Sequence, residues 1–227
     1  MLKRVLDLAV AFPAAVLTAP LVAALLLAVW LHDRRNPLYI PRRIGKDGVP
    51  FPLFKLRTMV VGADRTGVDT TVKGDARLLP FADTLRRYKL DELPQFWNVI
   101  LGQMSLVGPR PNVIREVEKY TDEERRLLSV KPGLTDFASI VFSDLGDRLA
   151  GQEDANRAYE TMIRPTKARL GLFYVDNHTI WMDVVLVAAT VLSLFSRQAA
   201  RGWIGKLLTR YRADPDLIAV VVTNQAC

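Results

Sequence analysis

Residues 3–35 read KRVLDLAVAFPAAVLTAPLVAALLLAVWLHDRR. Between Val5 and Leu31 the polar side chains are Asp7 and Thr18, and Pro13 and Pro20 interrupt the apolar run. Leu8 to Leu31 spans 24 residues. As a helix that length is about 36 Å, enough to cross a bilayer. The flanking charges oppose a simple crossing. Lys3 and Arg4 precede the run, and Arg34, Arg35, Arg42 and Arg43 follow it. Cationic flanks favour the cytoplasmic side, so both ends prefer the same face. Pro20 removes a backbone donor near the middle. A re-entrant helix-break-helix over residues 1–35, broken at Pro20, satisfies both facts, with Thr18 as a partner for a freed carbonyl. A kinked spanning helix is the alternative. A secretory signal has a shorter apolar core and a small-residue cleavage site, which this run lacks.

The remaining composition agrees with a membrane surface. The chain has 227 residues, half of them hydrophobic, and a formal net charge of +7. That length suits one sizeable core with an appended element. The positive charge calls for an anionic partner: lipid headgroups, nucleotide phosphates or nucleic acid. Residues 32–60 hold seven Lys/Arg against Asp33 and Asp47, and residues 197–212 hold five with no acid. The single cysteine, Cys227, excludes an intrachain disulfide.

Beyond residue 35, prolines and glycines punctuate short apolar pieces up to residue 60, and residues 62–76 read as a polar loop. Helices are expected over Leu79–Tyr88, Pro94–Leu101, Asn112–Tyr120 (capped by Asn112) and Glu153–Ile163, with an interruption at Pro165. Thr121 and Glu124 have capping-box spacing. Val184–Phe195 is apolar but too short to span, and it can pack in the core or lie on the membrane. Trp203, Ile204, Leu207, Leu208 and Tyr211 share a helical face on a basic segment. That segment reads equally as an interfacial helix and as a surface helix docked on the core.

The chemistry concentrates between residues 85 and 111. Asp91 and Glu92 are adjacent carboxylates among Arg86, Arg87 and Lys89, followed by the turn Gly108-Pro109-Arg110-Pro111. A carboxylate can attack phosphorus or hold a divalent cation, and arginine neutralises phosphate oxygens. Flanking prolines hold the Arg110 guanidinium in place. Lys55 and Arg57 add cations suited to phosphate or headgroup contact. The plain alternatives are a helix cap for the acids and a structural turn for Arg110. His32 and His178 lack ligand spacing for zinc, and no Walker or dinucleotide-binding fingerprint is present.

The stretch LRRYKLDELPQFWNVILGQMSLVGPRP, Leu85 to Pro111, resembles the signature of the bacterial sugar transferase family, the small monotopic phosphoglycosyl transferases. The likeness extends to KRVLD at Lys3, RRIGKDGVPFPLFKLRTM at Arg42, KPGLTD at Lys131 and YVDNHTIWMD at Tyr174. It implies an α+β, mostly helical fold: a cytoplasmic-face catalytic domain over residues 36–196, with residues 197–227 as a basic amphipathic C-terminal segment. It implies transfer of a phosphosugar from a UDP-sugar donor to polyprenol phosphate with release of UMP, at the bacterial inner membrane, as the first membrane step of glycan assembly. By the same resemblance, Asp91 is the nucleophile and Glu92 binds Mg²⁺. Lys55, Arg57, Arg86, Pro109, Arg110 and Pro111 contact substrate, and Asp183 is a further functional acid. Membrane lipids are partners, nucleic acid is not, and a homodimer is compatible with the family.

Two positions depart from the family pattern. Ala19-Pro20 replaces a Ser-Pro pair, and Ser143 stands where an Arg is expected, with Arg148 as the nearby replacement. A non-catalytic membrane adaptor of a glycan-assembly complex is the alternative function. A membrane-anchored nucleic-acid binder is a third, and it lacks a reading motif.

Overall fold

The computed structural model describes residues 1–63, 71, 74–149 and 154–223. Most of the expected polar loop, the expected helix start at Glu153 and the terminal Cys227 lie outside them. The helices are α1 (Leu2–Asp33), α2 (Ala82–Arg87), α3 (Gln95–Ile100), α4 (Ile114–Val117), α5 (Phe137–Val141), α6 (Leu145–Leu149), α7 (Ala155–Ala158), α8 (Arg164–Asn177), α9 (Ile180–Phe195), α10 (Arg197–Arg210) and α11 (Pro215–Thr223). Six short strands accompany them: β1 (Leu38–Tyr39), β2 (Arg42–Ile44), β3 (Pro50–Pro52), β4 (Lys55–Leu56), β5 (Ser105–Val107) and β6 (Gly133–Thr135). The α+β, mostly helical expectation holds.

The strands pair two by two. β1 with β4 and β2 with β3 are antiparallel, with Tyr39 opposite Lys55 and Arg43 opposite Phe51. In β3 the prolines face outward and Phe51 inward, as a strand bonded on one edge allows. β5 and β6 run parallel, Ser105 opposite Gly133. Gly108 and Gly133 meet backbone to backbone beside this pair. A Cβ on Gly108 would stand 2.3 Å from the Lys131 carbonyl oxygen, and one on Gly133 2.1 Å from the Gly108 nitrogen. Only glycine permits that approach, and it fixes the turn Pro109-Arg110-Pro111 that follows.

Helix α1 remains helical through Pro13 and Pro20, so the backbone is not divided at Pro20 as expected. Each proline still removes one donor, leaving the Ala9 and Val16 carbonyls without their usual partners. Thr18 does not compensate: its Oγ donates to the Ala14 carbonyl at 2.7 Å. The helix is attached to one body at both ends. Near its start, Lys3 Nζ donates to Asp183 Oδ2 at 2.6 Å, and Arg4 donates to the Ile100 carbonyl at 2.8 Å. The buried Asp7 accepts from Ser105 Oγ and the Leu106 amide, both at 2.9 Å. Near its end, Val29 packs with Leu79 and Ala82, and Asp33 pairs with Arg57 at 2.6 Å. Its other side exposes Leu8, Phe12, Val16, Leu17, Leu21 and Leu27, an apolar face suited to lipid.

The core gathers Met104, just before β5, with Phe137, Ile140, Leu170, Tyr174 and Met182 from α5, α8 and α9. Helix α9 buries Met182, Leu186 and Ala189 and exposes Trp181, Val191 and Phe195, so it serves the core with one side only. Helix α10 buries Ala200, Ile204, Leu207 and Leu208 in the same core. Residues 197–210 are therefore docked on the domain, with Trp203 left exposed. The helix predicted from Asn112 is short and uncapped by it: Asn112 Nδ2 donates to Tyr120 Oη at 2.8 Å. The Thr121–Glu124 capping box is present in both directions, at 2.9 and 3.2 Å. A π-helical turn, Tyr159–Ile163, precedes Pro165, which sits in the first turn of α8 where its missing donor costs nothing.

Candidate active site

Lys89, in the left-handed conformation, ends the chain's run out of α2 and starts a single 3₁₀ turn, Leu90–Glu92. Neither Asp91 nor Glu92 caps a helix. Pro94 occupies the N-cap of α3, and no side chain bonds there. The cap alternative therefore fails. Asp91 is 2% exposed, and its Oδ2 stands 2.7 Å from Lys55 Nζ on β4. That contact is an ion pair without hydrogen-bond alignment, since Oδ2 has no hydrogen-bond partner. Glu92 accepts from Arg110, which donates from both Nη atoms, the longer contact being 3.3 Å.

A cavity of about 290 Å³ opens in front of Glu92. Arg86, Lys89, Pro109, Arg110 and Pro111 line one end, and Phe142, Ser143, Tyr159 and Lys167 line another part of the wall. Asp91 and Lys55 are not among the residues that line it. Arg86 is positioned by Thr58, to which its Nε donates at 3.0 Å. Burial works to raise the Glu92 carboxyl, but Arg110, Lys55 and Lys89 outweigh it and hold it at about 2. The Glu92 charge in turn raises Arg110. Burial pushes Lys89 down. Among the described residues, the buried side-chain atoms without a hydrogen-bond partner are Arg43 Nε, Lys89 Nζ, Asp91 Oδ2, Gln95 Nε2 and Ser143 Oγ. Such atoms are rare in a finished core, and two of the five, Lys89 Nζ and Ser143 Oγ, belong to residues that line the cavity. A ligand with several oxygens would satisfy those two donors.

On the far side of Leu93-Pro94 lies a second, apolar groove of about 150 Å³, between α1 and α3, lined by Thr18, Ala19, Val22, Leu26 and Trp97. The acidic turn thus stands between a cationic cavity and an apolar groove beside the helix that exposes its other face.

Two sequence-predicted residues lie elsewhere. Arg57 is buried and donates to the Asn36 carbonyl at 2.7 Å, the Met59 carbonyl at 3.2 Å and Asp33. It fastens the end of α1 and is not turned to the cavity. Asp183 is 1% exposed and accepts from Lys3 and from Tyr174 Oη at 2.7 Å. It fastens the start of α1 and does not line the cavity. Arg148 is held by Asp144 at 2.8 Å and does not replace the expected arginine at the cavity wall. Sequence reading missed Lys167, Tyr159 and Arg164, which α8 and the preceding π turn bring to the cavity from far along the chain.

Among the described residues, no group of three His, Cys, Asp or Glu could hold a metal alone. The donor set does fit Mg²⁺ in its usual protein mode, one or two carboxylates completed by substrate phosphates and water.

The profile described as "Bacterial sugar transferase" matches residues 1–197. The chain belongs to that family. Among bacterial sugar transferases, it is 31% identical over 214 residues to the "UDP-galactose-lipid carrier transferase" of Erwinia amylovora, covering 88% of this chain and 41% of the relative. It is 32% identical over 207 residues to the "UDP-glucose:undecaprenyl-phosphate glucose-1-phosphate transferase" of Escherichia coli K12, covering 88% of this chain and 41% of that relative. A protein of the same description from Caulobacter vibrioides is 33% identical over 201 residues, covering 87% of this chain and 71% of that relative. The chain therefore spans less than half the length of the first two relatives.

Proposed function

We propose that the chain is a phosphoglycosyl transferase moving a sugar phosphate from a UDP-sugar to polyprenol phosphate at the cytoplasmic face of the bacterial inner membrane. The observation that carries this reading is Asp91, a buried carboxylate that caps no helix and is ion-paired to Lys55 beside a cationic cavity. The names of the relatives, with sugar nucleotide and undecaprenyl phosphate in them, support the same class.

The reaction follows in two balanced displacements. An Asp91 carboxylate oxygen attacks the sugar-bearing phosphorus. The bond from that phosphorus to the bridging oxygen breaks, and UMP leaves with the oxygen and its electron pair. An oxyanion of polyprenol phosphate then attacks the same phosphorus, and the Asp91 carboxylate departs. The covalent step lets a water-soluble donor and a lipid acceptor use one carboxylate in turn. Lys55, ion-paired with Asp91, holds it in place, and Arg86, Lys89 and Arg110 offset phosphate charge. Mg²⁺, held by Glu92 and the donor's phosphates, would neutralise charge on the diphosphate. The apolar groove against α1 offers the isoprenoid chain a seat beside the acidic turn.

The test is UMP release from a panel of UDP-sugars by the full chain in nanodiscs with polyprenol phosphate. Release by the native chain and none by Asp91→Asn is expected. Equal turnover by Asp91→Asn would remove the nucleophile from this reading.

A further inference from the structure

The cavity extends beyond Arg110 to a part of its wall that the acidic turn does not explain. There α8 presents Lys167, whose ammonium stands 5.0 Å from the centre of the Tyr159 ring and 5.9 Å from that of Phe142. The Ser143 Oγ, on the same cavity wall, is shut off from solvent with no partner. Nearby cations are engaged: Arg164 with Glu124 at 3.1 Å and Arg148 with Asp144 at 2.8 Å. Among the described residues, Lys167 has no ion pair or hydrogen bond, so one ammonium and one hydroxyl await a ligand.

We propose that Lys167, with the Ser143 hydroxyl, binds the phosphate that leaves with the nucleoside. This rests on the transferase reading above. In-line attack by Asp91 expels the bridging oxygen on the side away from Asp91, and negative charge grows on the nucleotide phosphate as that bond breaks. Lys167 supplies a cation for that charge from the wall of the same cavity. Asp136 and Arg110 are the charged groups that act on it. The Tyr159 and Phe142 rings flank the ammonium at cation–π distance. The family's expected arginine at position 143 is absent, and Lys167 brings a cation to the same wall from another element.

The protonation of Lys167 provides a signature. Burial lowers it to about 8, with Asp136 opposing and Arg110 adding to the effect. Tyr159, raised by burial to about 12, stays neutral beside it. Glu116, Glu124 and Arg164 complete the surroundings as a mutually paired set. An anion bound to the ammonium is therefore released as the lysine loses its proton.

Calorimetric titration of the full chain in nanodiscs with UMP, and separately with uridine, tests this. Native UMP affinity is expected to fall about tenfold between about pH 7 and pH 9, since one pH unit past a pKa is a factor of ten in protonated lysine. Lys167→Met should bind UMP about tenfold more weakly at about pH 7, without that pH dependence, and bind uridine as the native chain does. Lys167→Arg should restore UMP binding at about pH 9, because arginine keeps its charge there. UMP affinity of Lys167→Met within twofold of native, or an equal loss for uridine, overturns the assignment. If the native chain binds neither UMP nor a UDP-sugar, the transferase reading itself falls, and this assignment with it.

Discussion

Glu92 keeps its charge because three cations outweigh its burial, and the dependence on pH follows from that. Its carboxyl is lowered from 4.5 to about 2. A carboxylate with a depressed folded value contributes stability that is fully present above the unfolded value and is lost as pH falls through the folded one. Arg110→Met should therefore be less stable than the native chain by a margin that is constant from about pH 7 to pH 5 and shrinks from about pH 4 downward. Thermal denaturation across that range reads it, and a margin unchanged at about pH 3 would contradict the pairing. At this scale the sequence showed Asp91, Glu92, Lys55, Arg86 and Arg110, because the motif packs opposite charges into a few adjoining segments. It grouped Arg57 and Asp183 with them, and the structure places both as anchors of α1 outside the cavity lining. A buried anchor and a substrate-binding group are the same residue types in a sequence. The partners that decide between them, Asp33 and Lys3, lie far off in the chain.

Among the elements, the β5–β6 crossing sets the site. The Gly108 amide donates to the Thr135 carbonyl at 3.1 Å, and the Gly133 amide to the Pro109 carbonyl at 3.0 Å, so the turn bearing Arg110 is bonded directly to β6. Gly133→Ala would drive its Cβ into backbone atoms that cannot rotate away. It should cost about 3 kcal/mol and lower UDP-sugar affinity, read by denaturation and by donor titration. Native-like values in both would show that the crossing tolerates a side chain. Legibility was uneven here. The Thr121–Glu124 capping box and α3 follow from short-range rules and were readable. The failure of Asn112 to cap, the π turn before Pro165 and helix α11 were not. Asn112 turns to Tyr120 and α11 packs on α10, contacts of the folded chain that no spacing in the sequence signals.

The whole molecule is a helix-rich body with a 32-residue apolar helix fastened to it at both ends. A straight helix of that length is about 48 Å long. Lys3 held by Asp183 and Asp33 held by Arg57 keep both termini of α1 on the same body. On a background lacking Cys227, cysteines placed at Leu2 and Arg35, which leave both anchors in place, should therefore be labelled by an impermeant maleimide from one face of a sealed vesicle. Labelling from opposite faces would require a spanning helix. The apolar run and its two basic flanks were legible in sequence, as was the fold class. The continuity of the helix through Pro20 was not, since the contacts that hold α1 at both ends come from distant segments. The same body carries the acidic turn between a cationic cavity and an apolar groove, the arrangement a two-step transfer between water and lipid requires. The most direct measurement of that claim is the intact mass of the full chain after incubation with a UDP-sugar and Mg²⁺ in the absence of polyprenol phosphate. A sugar-phosphate adduct on Asp91, formed with one UMP per chain and absent from Asp91→Asn, is the expected result. Turnover that requires both substrates together and never leaves the chain modified would contradict it.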